Sequence, residues 1–549
     1  MSKRIAEGVD RLSTLPEPLL HHIMSHFSFE QVVYYSVLCK KWMQAAHSLP
    51  SIKYNEMHYE MGKREKILEF LERLLLKRHV ELTNITDFGM RLQIWQDRVA
   101  LVDRCLSYVI VSNVKELRLE GLCYWDDRSW RYNVPQFVLS AKTIEVLELT
   151  GFKLELRRID LKLPSLKRLC LMRVFADERV LENLIAGSPL IEYLKVDICD
   201  GFRRLELSNL NKLRKIKVFS HVYNCDLKQV DINALHVDSV TISLPFAQFE
   251  INAANCKSLR RLKLCMVSIV DEWLCREISK LPALEYLSIM DCHRLERVKI
   301  SSPSLKHLII GGLNLVEVKI DTPNLSRFEY MGDIIPFSLN DLALAESDLH
   351  FYSENCDLQW FVKYTELLAK FHQISKALFL HSNGGENVII PAELRRIQRP
   401  PCPVIKHIDF TITDEDKGFP ISQLVDGLLW ICPHAMSITI QYEFGLFDKF
   451  CFLMNNWKSL EKIVPLLKIK QEAETCIIKF SYKKRFIYDE ETRCCSHSLP
   501  VSCWKHCIKE VDIDHIIQSL GKVQIVETYN FEDEILEKIA GISRYEPEL

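Results

Sequence analysis

Val114-x-x-Leu117-x-Leu119, Ile144-x-x-Leu147-x-Leu149, Leu166-x-x-Leu169-x-Leu171 and Ile191-x-x-Leu194-x-Val196 set apolar residues in one recurring order. The order continues as Leu213-x-x-Ile216-x-Val218, Val237-x-x-Val240-x-Ile242, Leu259-x-x-Leu262-x-Leu264, Leu284-x-x-Leu287-x-Ile289, Leu305-x-x-Leu308-x-Ile310 and Leu325-x-x-Phe328-x-Tyr330. The start-to-start steps are 30, 22, 25, 22, 24, 22, 25, 21 and 20 residues. A single copy is expected by chance in an apolar chain, whereas ten in succession are not. The x-apolar-x-apolar piece has the period of a strand, with two side chains turned to one side. No such unit can bury its own apolar edge, so the units stack and share one elongated core.

After the first, every step lies in the ~20–29-residue window of leucine-rich repeats. Proline opens many units, as in Pro164-Ser165-Leu166, Pro282-Ala283-Leu284, Pro303-Ser304-Leu305 and Pro323-Asn324-Leu325. It ends the preceding convex segment, which is predicted helical over 177–186 and 271–280. Units between 300 and 330 are too short for a helix and should have extended or turn-like backs. The pattern loosens after 330 and returns as Ser375-x-x-Leu378-x-Leu380, Ile405-x-x-Ile408-x-Phe410, Ala435-x-x-Ile438-x-Ile440 and Ile508-x-x-Val511-x-Ile513. The stretches IQRPPCPV (397–404) and DEDKG (414–418) read as loops, the second lacking the acidic spacing of a calcium-binding EF-hand.

The N-terminal segment reads VDRLSTLPEPLLHHIMSHFSFEQVVYYSVLCKKWMQAAHSLP over residues 9–50. Leu19, Leu20, Ile23, Met24 and Phe27 recur at helical spacing behind Pro16, which suits a helix start. Ser28 is set to cap a second helix over 29–38, and a third spans 40–48 with Trp42 on it. Forty residues cannot easily bury all these side chains alone, so an exposed apolar face is expected. The order Asp10-x-Leu12-Ser13-x-Leu15-Pro16-Glu17, Ile23-Met24-Ser25 and Ser36-x-Leu38-Cys39-Lys40-Lys41-Trp42 resembles the F-box motif. That resemblance implies binding of the Skp-type adaptor of a cullin ubiquitin ligase, and through it of the cullin and RING subunits. The gripping residues it implies are Leu12, Leu15, Pro16, Leu19, Ile23, Met24, Val33, Val37 and Trp42. The stretch from Ile405 to Ile513, with Leu424-Val425-Asp426-x-Leu428-Leu429-Trp430-x-Cys432 and Cys503-Trp504-Lys505-His506-Cys507, resembles the tail of plant F-box/leucine-rich-repeat proteins.

The fold class expected is therefore an α/β leucine-rich-repeat solenoid preceded by a small all-α three-helix F-box. The domains expected are an F-box over 9–50, a helical linker over 51–104, repeats over 105–395, and a repeat-like region with its cap over 404–549. In the linker, Ile67, Leu68, Leu71, Leu74 and Leu75 mark a helix over 63–78, and a second is expected over 97–106. The last 35 residues follow no pattern of that plant-type tail.

Lys plus Arg number 71 against 73 Asp plus Glu in 549 residues, a balance that argues against a nucleic-acid-binding protein. MSKRIAEGVDRL has no apolar run of a secretory signal, and no stretch is long and apolar enough to span a membrane. A nuclear or cytoplasmic location is expected, where the 19 cysteines stay as thiols. Cys494, Cys495, His497, Cys503, His506 and Cys507 form the one metal-like cluster, but two adjacent cysteines strain a tetrahedral zinc site and buried or surface thiols are the favoured reading. No phosphate loop, G-x-S-x-G elbow or H-E-x-x-H occurs. No catalysis, cofactor or metal is expected.

The function expected is that of a substrate-recognition subunit of an SCF-type ligase, with an F-box for the adaptor and a repeat surface for an unidentified target. Its rivals are a non-ligase interaction scaffold and a small-molecule sensor using the aromatic insertion GLCYWDDRSWRYNVPQF as a lid. Residues between the core leucines face away from the core. These are Arg118, Glu148, Cys170, Lys195, Lys217, Thr241, Lys263, Ser288 and Ile309. Arg118, Lys195, Lys217 and Lys263 make a basic stripe suited to an acidic or phosphorylated target segment. Ordinary solvated strand residues, neutralised by neighbouring acids, are the plainer alternative.

Overall fold

A computed structural model describes residues 15–36, 39–81, 83–122, 131–155, 161–220, 226–244, 250–253, 255–312, 314–339, 342–352, 356–382, 385–412, 421–443, 475–482, 508–519 and 522–531. The chain forms two compact units, one of residues 1–269 and 280–284, the other of 270–279 and 285–549.

In the first unit nine strands lie side by side in chain order, all parallel: Ser51–Asn55, Asp87–Leu92, Glu116–Gly121, Val146–Thr150, Arg168–Met172, Tyr193–Asp197, Lys215–Phe219, Ser239–Ser243 and Arg261–Cys265. Equivalent slots pair across the sheet, so Leu117, Leu147, Leu169, Leu194, Ile216, Val240 and Leu262 form one row. All thirty apolar positions of the ten recurring units are buried, none more than 4% exposed. A left-handed residue follows several of these strands and turns the chain off the sheet: Gly151, Arg173, Ile198 and Met266, with φ between 51° and 79°. The convex side carries a second parallel ladder of Arg204–Ser208, Gln229–Asn233 and Glu250–Asn252. It also carries the helix Glu178–Ala186, whose N-cap Asp177 accepts a hydrogen bond from the Arg179 amide at 2.9 Å.

The stretch 51–104 is not a purely helical linker. Ser51–Asn55 pairs with Asp87–Leu92, which pairs with Glu116–Gly121, so this stretch already belongs to the parallel sheet. Its units obey the same spacing, Leu49-x-x-Ile52-x-Tyr54 and Ile85-x-x-Phe88-x-Met90, and all six side chains are buried. The expected helices are present as Arg64–Val80 and Val99–Val111, and they form the backs of these longer units.

In the second unit, Tyr286–Met290, His307–Gly312, Arg327–Gly332, Leu344–Phe351, Ser375–Ser382, His407–Ile412 and Ser437–Glu443 pair in parallel. The short units have extended backs, Arg297–Ser301, Glu317–Asp321 and Phe337–Leu339, which pair as a ladder of their own. Helix Asp271–Ile278 is tied to the first of these backs by the Asp271 carboxylate, which accepts from the amides of Glu296 and Arg297 at 3.0 Å each. After Glu443 the pairing changes: Thr475–Tyr482, Ile508–Ser519 and Lys522–Phe531 run antiparallel. The unit expected at Ile508 is thus one strand of an antiparallel end and not a further solenoid turn. Only two residues separate Ile508–Ser519 from Lys522–Phe531, a connection too short for the crossover that a parallel pair needs.

Leu262 has 3% of its surface exposed and sits between strand neighbours on a filled core row. Leu262→Ala should therefore lower stability by ~2–5 kcal/mol. Urea unfolding followed by far-ultraviolet circular dichroism measures it.

Candidate functional site

Two surfaces of the first unit could hold partners: the N-terminal helices and the outward side of the strands. Helix α1 (Glu17–Met24) follows Pro16, whose extended backbone enters the helix without needing a donor. Helix α2 (Phe29–Ser36) opens on a reciprocal capping box. The Gln31 amide donates to Ser28 Oγ at 3.3 Å, and the Ser28 amide donates to Gln31 Oε1 at 2.9 Å. Helix α3 (Lys40–Ser48) is capped by Cys39, whose sulfur accepts from the Trp42 amide at 3.5 Å. Leu20, Met24, Val32, Trp42, Ala45 and Leu49 form the small core between the helices. His21 Nε2 lies 3.1 Å from both Ala45 O and Ser48 Oγ, which pins α1 to α3.

Arg78, from the helix Arg64–Val80, reaches under α3 and donates from Nη2 to Ala46 O at 3.2 Å. It is fully buried, and burial pulls its guanidinium down to a pKa of about 10. Glu56, also fully buried, lies 2.9 Å from Arg98 Nη1, and Arg98 Nε pairs with Glu65 at 2.8 Å. These side chains fasten the helical trio and the first strands to the solenoid.

On the strands, Arg118, Glu148, Cys170, Lys195, Lys217, Thr241 and Lys263 stand on consecutive strands at one register position. Arg118 is neutralised by three acids, Asp87 at 2.7 Å, Glu116 at 2.6 Å and Glu148 at 3.4 Å. It does not belong to a free basic stripe. Lys195 pairs with Asp197 at 2.9 Å and lies 5.8 Å from the Phe219 ring centre. Arg168 pairs with Glu148 at 3.2 Å and covers the Tyr193 ring at 4.3 Å. Lys217 has no ion pair among the described residues. Desolvation first, then the charges of Lys215, Lys195, Lys263 and Arg168, hold its ammonium below the ordinary lysine range.

A family model for the F-box domain matches residues 12–54. Two leucine-rich-repeat models follow it: the repeats of the FBD-associated F-box protein At5g56370 over 102–242, and the At1g61320/AtMIF1 LRR domain over 244–396. The chain carries an F-box domain followed by leucine-rich repeats. Similar proteins of Arabidopsis thaliana have the same two parts in their names. F-box/LRR-repeat protein At5g02910 is 26% identical over 39% of this chain and 44% of its own length. F-box/FBD/LRR-repeat protein At4g26340 is 25% identical over 42% and 55%, and F-box/LRR-repeat protein 13 is 24% identical over 43% and 51%. The chain thus matches about half the length of these curated relatives. A crystal structure of an internalin from Listeria monocytogenes overlaps 53% of this chain and 95% of its own at a TM-score of 0.27 and 12% identity. The fold rests on the parallel strands and not on that overlap.

The structure sorts the F-box residues named from the sequence into two groups. Pro16 is exposed, Leu19 is 49% exposed, and Leu15, Ile23 and Val33 are half-buried. Met24 at 1% and Trp42 at 4% are core residues with little surface left to offer a partner docked on the folded domain. Their slots on the inner faces of α1 and α3 explain this: the two side chains fill the gap between the helices. Leu12 and Val37 lie outside the described residues. Sequence reasoning missed Tyr34, 71% exposed, and Met43, 43% exposed, which place further apolar surface on α2 and α3. Both fall outside the apolar spacing of their helices, and a large apolar residue at an outward slot was the signal available.

The cysteine–histidine cluster of residues 494–507 and the 414–418 loop lie outside the described residues. Among the described residues no group of three or more His, Cys, Asp or Glu could hold a metal ion, and no helix is long and apolar enough to cross a membrane. Cys170 and Cys292 are buried and Cys265 is half-buried.

Proposed function

We propose that this chain is the substrate-recognition subunit of an SCF-type cullin–RING ubiquitin ligase, working in the nucleus or cytoplasm. Its F-box binds a Skp-type adaptor, which carries the cullin and the RING subunit, and its repeat surface binds a target protein. The chain contributes no bond-making chemistry. It holds a target lysine near a ubiquitin-loaded enzyme brought by other subunits, and the gain is one of proximity. The observation that carries this reading is an F-box whose core is closed by Met24 and Trp42 while Pro16, Leu19, Tyr34 and Met43 remain open to solvent. Large apolar groups left exposed on a packed domain mark an interface.

Exposed residues can be changed without unfolding the domain. Pro16→Ala with Leu19→Asp should reduce adaptor capture roughly tenfold or more, the scale of a lost hot spot. The helical circular dichroism of the variant should match the parent. Full adaptor capture by that variant overturns the assignment. The scaffold reading, in which the helices only cap the solenoid, draws on the Arg78 bond to Ala46 O. It predicts no adaptor capture by the unmodified chain.

A further inference from the structure

The charge pattern of the first unit changes along its sheet. One residue before each strand, the chain alternates in sign as Lys115, Glu145, Lys167, Glu192, Arg214, Asp238 and Arg260. The register of the strands sets these residues beside one another. Glu145 bridges Lys115 at 3.3 Å and Lys167 at 2.7 Å, so that row neutralises itself. Arg118 and its three acids do the same at the beginning of the outward face.

From Arg168 onward the outward residues become predominantly basic. Five consecutive strands turn outward Arg168, Cys170, Met172; Tyr193, Lys195, Asp197; Lys215, Lys217, Phe219; Ser239, Thr241, Ser243; and Arg261, Lys263, Cys265. Six of these fifteen residues are basic and one, Asp197, is acidic, in a chain with two more acids than bases overall. Asp197 is largely buried and engaged by Lys195. Lys217 stands at the middle of the patch, and the groups that perturb it are four cations. Assembling like charges on one face is unfavourable unless an anionic partner covers them.

We propose that this five-strand face is the target-docking surface and that its occupant is an extended, Asp/Glu-rich segment of the target protein. This rests on the reading of the chain as a substrate receptor and names the target's chemistry. Neighbouring strands lie about 4.8 Å apart, so five strands span ~19 Å, the reach of about six extended residues. The cations of the face are mostly lysines, four of them spread over three strands, point charges that suit carboxylates spaced along a chain. A single phosphate prefers a planar arginine fork, and Arg168 is already held by Glu148 and Tyr193. Tyr193 and Phe219 stand among the cations and give the segment apolar surface between its charges.

The test uses the full chain co-purified with its adaptor and a fluorescent Asp/Glu-rich peptide of about twelve residues, long enough to cross the face. Binding is read by anisotropy. The peptide should bind at low salt and lose affinity as salt rises. Lys195→Glu with Lys217→Glu and Lys263→Glu should weaken binding roughly tenfold or more. Reversal of three exposed lysines off this face, Lys66, Lys142 and Lys376, should change it less than about twofold. Thermal unfolding of each variant checks the fold. If the triple variant unfolds, the single variant Lys217→Glu replaces it and should weaken binding about threefold. The proposal is overturned if the peptide fails to bind, if both triple variants bind alike, or if a matched phosphoserine peptide or single-stranded RNA binds and the acidic peptide does not. Adaptor capture is recorded in the same preparations, so a failed peptide with intact adaptor capture removes this inference and leaves the receptor reading in place.

Discussion

Trp42→Ala is expected to unfold the F-box while the repeats stay folded. Trp42 has 4% of its surface exposed and fills the centre of a core completed by Leu20, Met24, Val32, Ala45 and Leu49. Removing a buried tryptophan costs about 3–5 kcal/mol. A domain of some forty residues has little stability to lose, because it buries a small fraction of its surface. Leu49 of that core also opens the first repeat unit, but the strands from Glu116 onward contribute no side chain to it, and their stability is a sum over stacked units. Hydrogen exchange should show residues 17–48 losing protection while the strands from Glu116 to Cys265 keep theirs. Adaptor capture should be lost along with the fold. This separates Trp42, which acts by packing, from Leu19, whose replacement by Asp should remove capture while protection of α1–α3 persists. Retained protection and capture in Trp42→Ala would place the side chain outside the core.

Glu56→Ala carries the next largest effect. The Glu56 carboxylate is buried, accepts from the Gln93 amide and lies 2.9 Å from Arg98 Nη1. Arg98 is itself largely buried, and its remaining carboxylate partner, Glu65, stands half in solvent at 2.8 Å. Deleting Glu56 leaves a desolvated guanidinium only partly compensated, a situation that costs about 3–5 kcal/mol, here near the lower end because Glu65 stays. The change loosens the join between the strand Ser51–Asn55 and the backs of the first two units. Urea unfolding of Glu56→Ala should show the loss. Glu56→Met combined with Arg98→Met should recover most of it, since apolar replacement of both partners removes the unpaired charge. A double variant as unstable as the single would mean that the ion pair is not the source of the effect.

The solenoid was legible because its signal is periodic and its core slots admit few residue types. The spacing that marked the units from Val114 to Tyr330 holds slot for slot. Units were missed where the slot residue was atypical. Tyr54, Phe88 and Met90 hide the first two, and in Leu344-x-x-Ser347-x-Leu349 a serine occupies the middle core slot with its hydroxyl buried and unpartnered. Long backs also stretched the step, and the helix Arg64–Val80 made 51–104 look wholly helical. The Ile508 unit obeyed the spacing and still paired antiparallel, because apolar spacing fixes which face is buried and leaves strand direction open.

The functional surfaces were harder to read for a different reason. Helical spacing finds the apolar face of a helix but does not divide it between core and interface, so Met24 and Trp42 stood beside Leu19 as equals. Strand alternation placed Arg118 and Lys217 in one row, which the register upholds. It could not show that Asp87, Glu116 and Glu148 converge on the first, or that burial and the charges of Lys215, Lys195, Lys263 and Arg168 hold down the ammonium of the second. Glu116 lies two residues back on the same strand, but Asp87 and Glu148 come from the strands on either side, and their approach is a property of the folded sheet.

The most direct measurement is light scattering coupled to size exclusion on the full chain co-expressed with a Skp-type adaptor, beside the Pro16→Ala, Leu19→Asp variant. The unmodified chain should elute as a one-to-one complex with the adaptor, and the variant, with its circular dichroism unchanged, should elute free of it. A folded unmodified chain that never associates with the adaptor, or a folded variant that binds it as the parent does, would contradict the account.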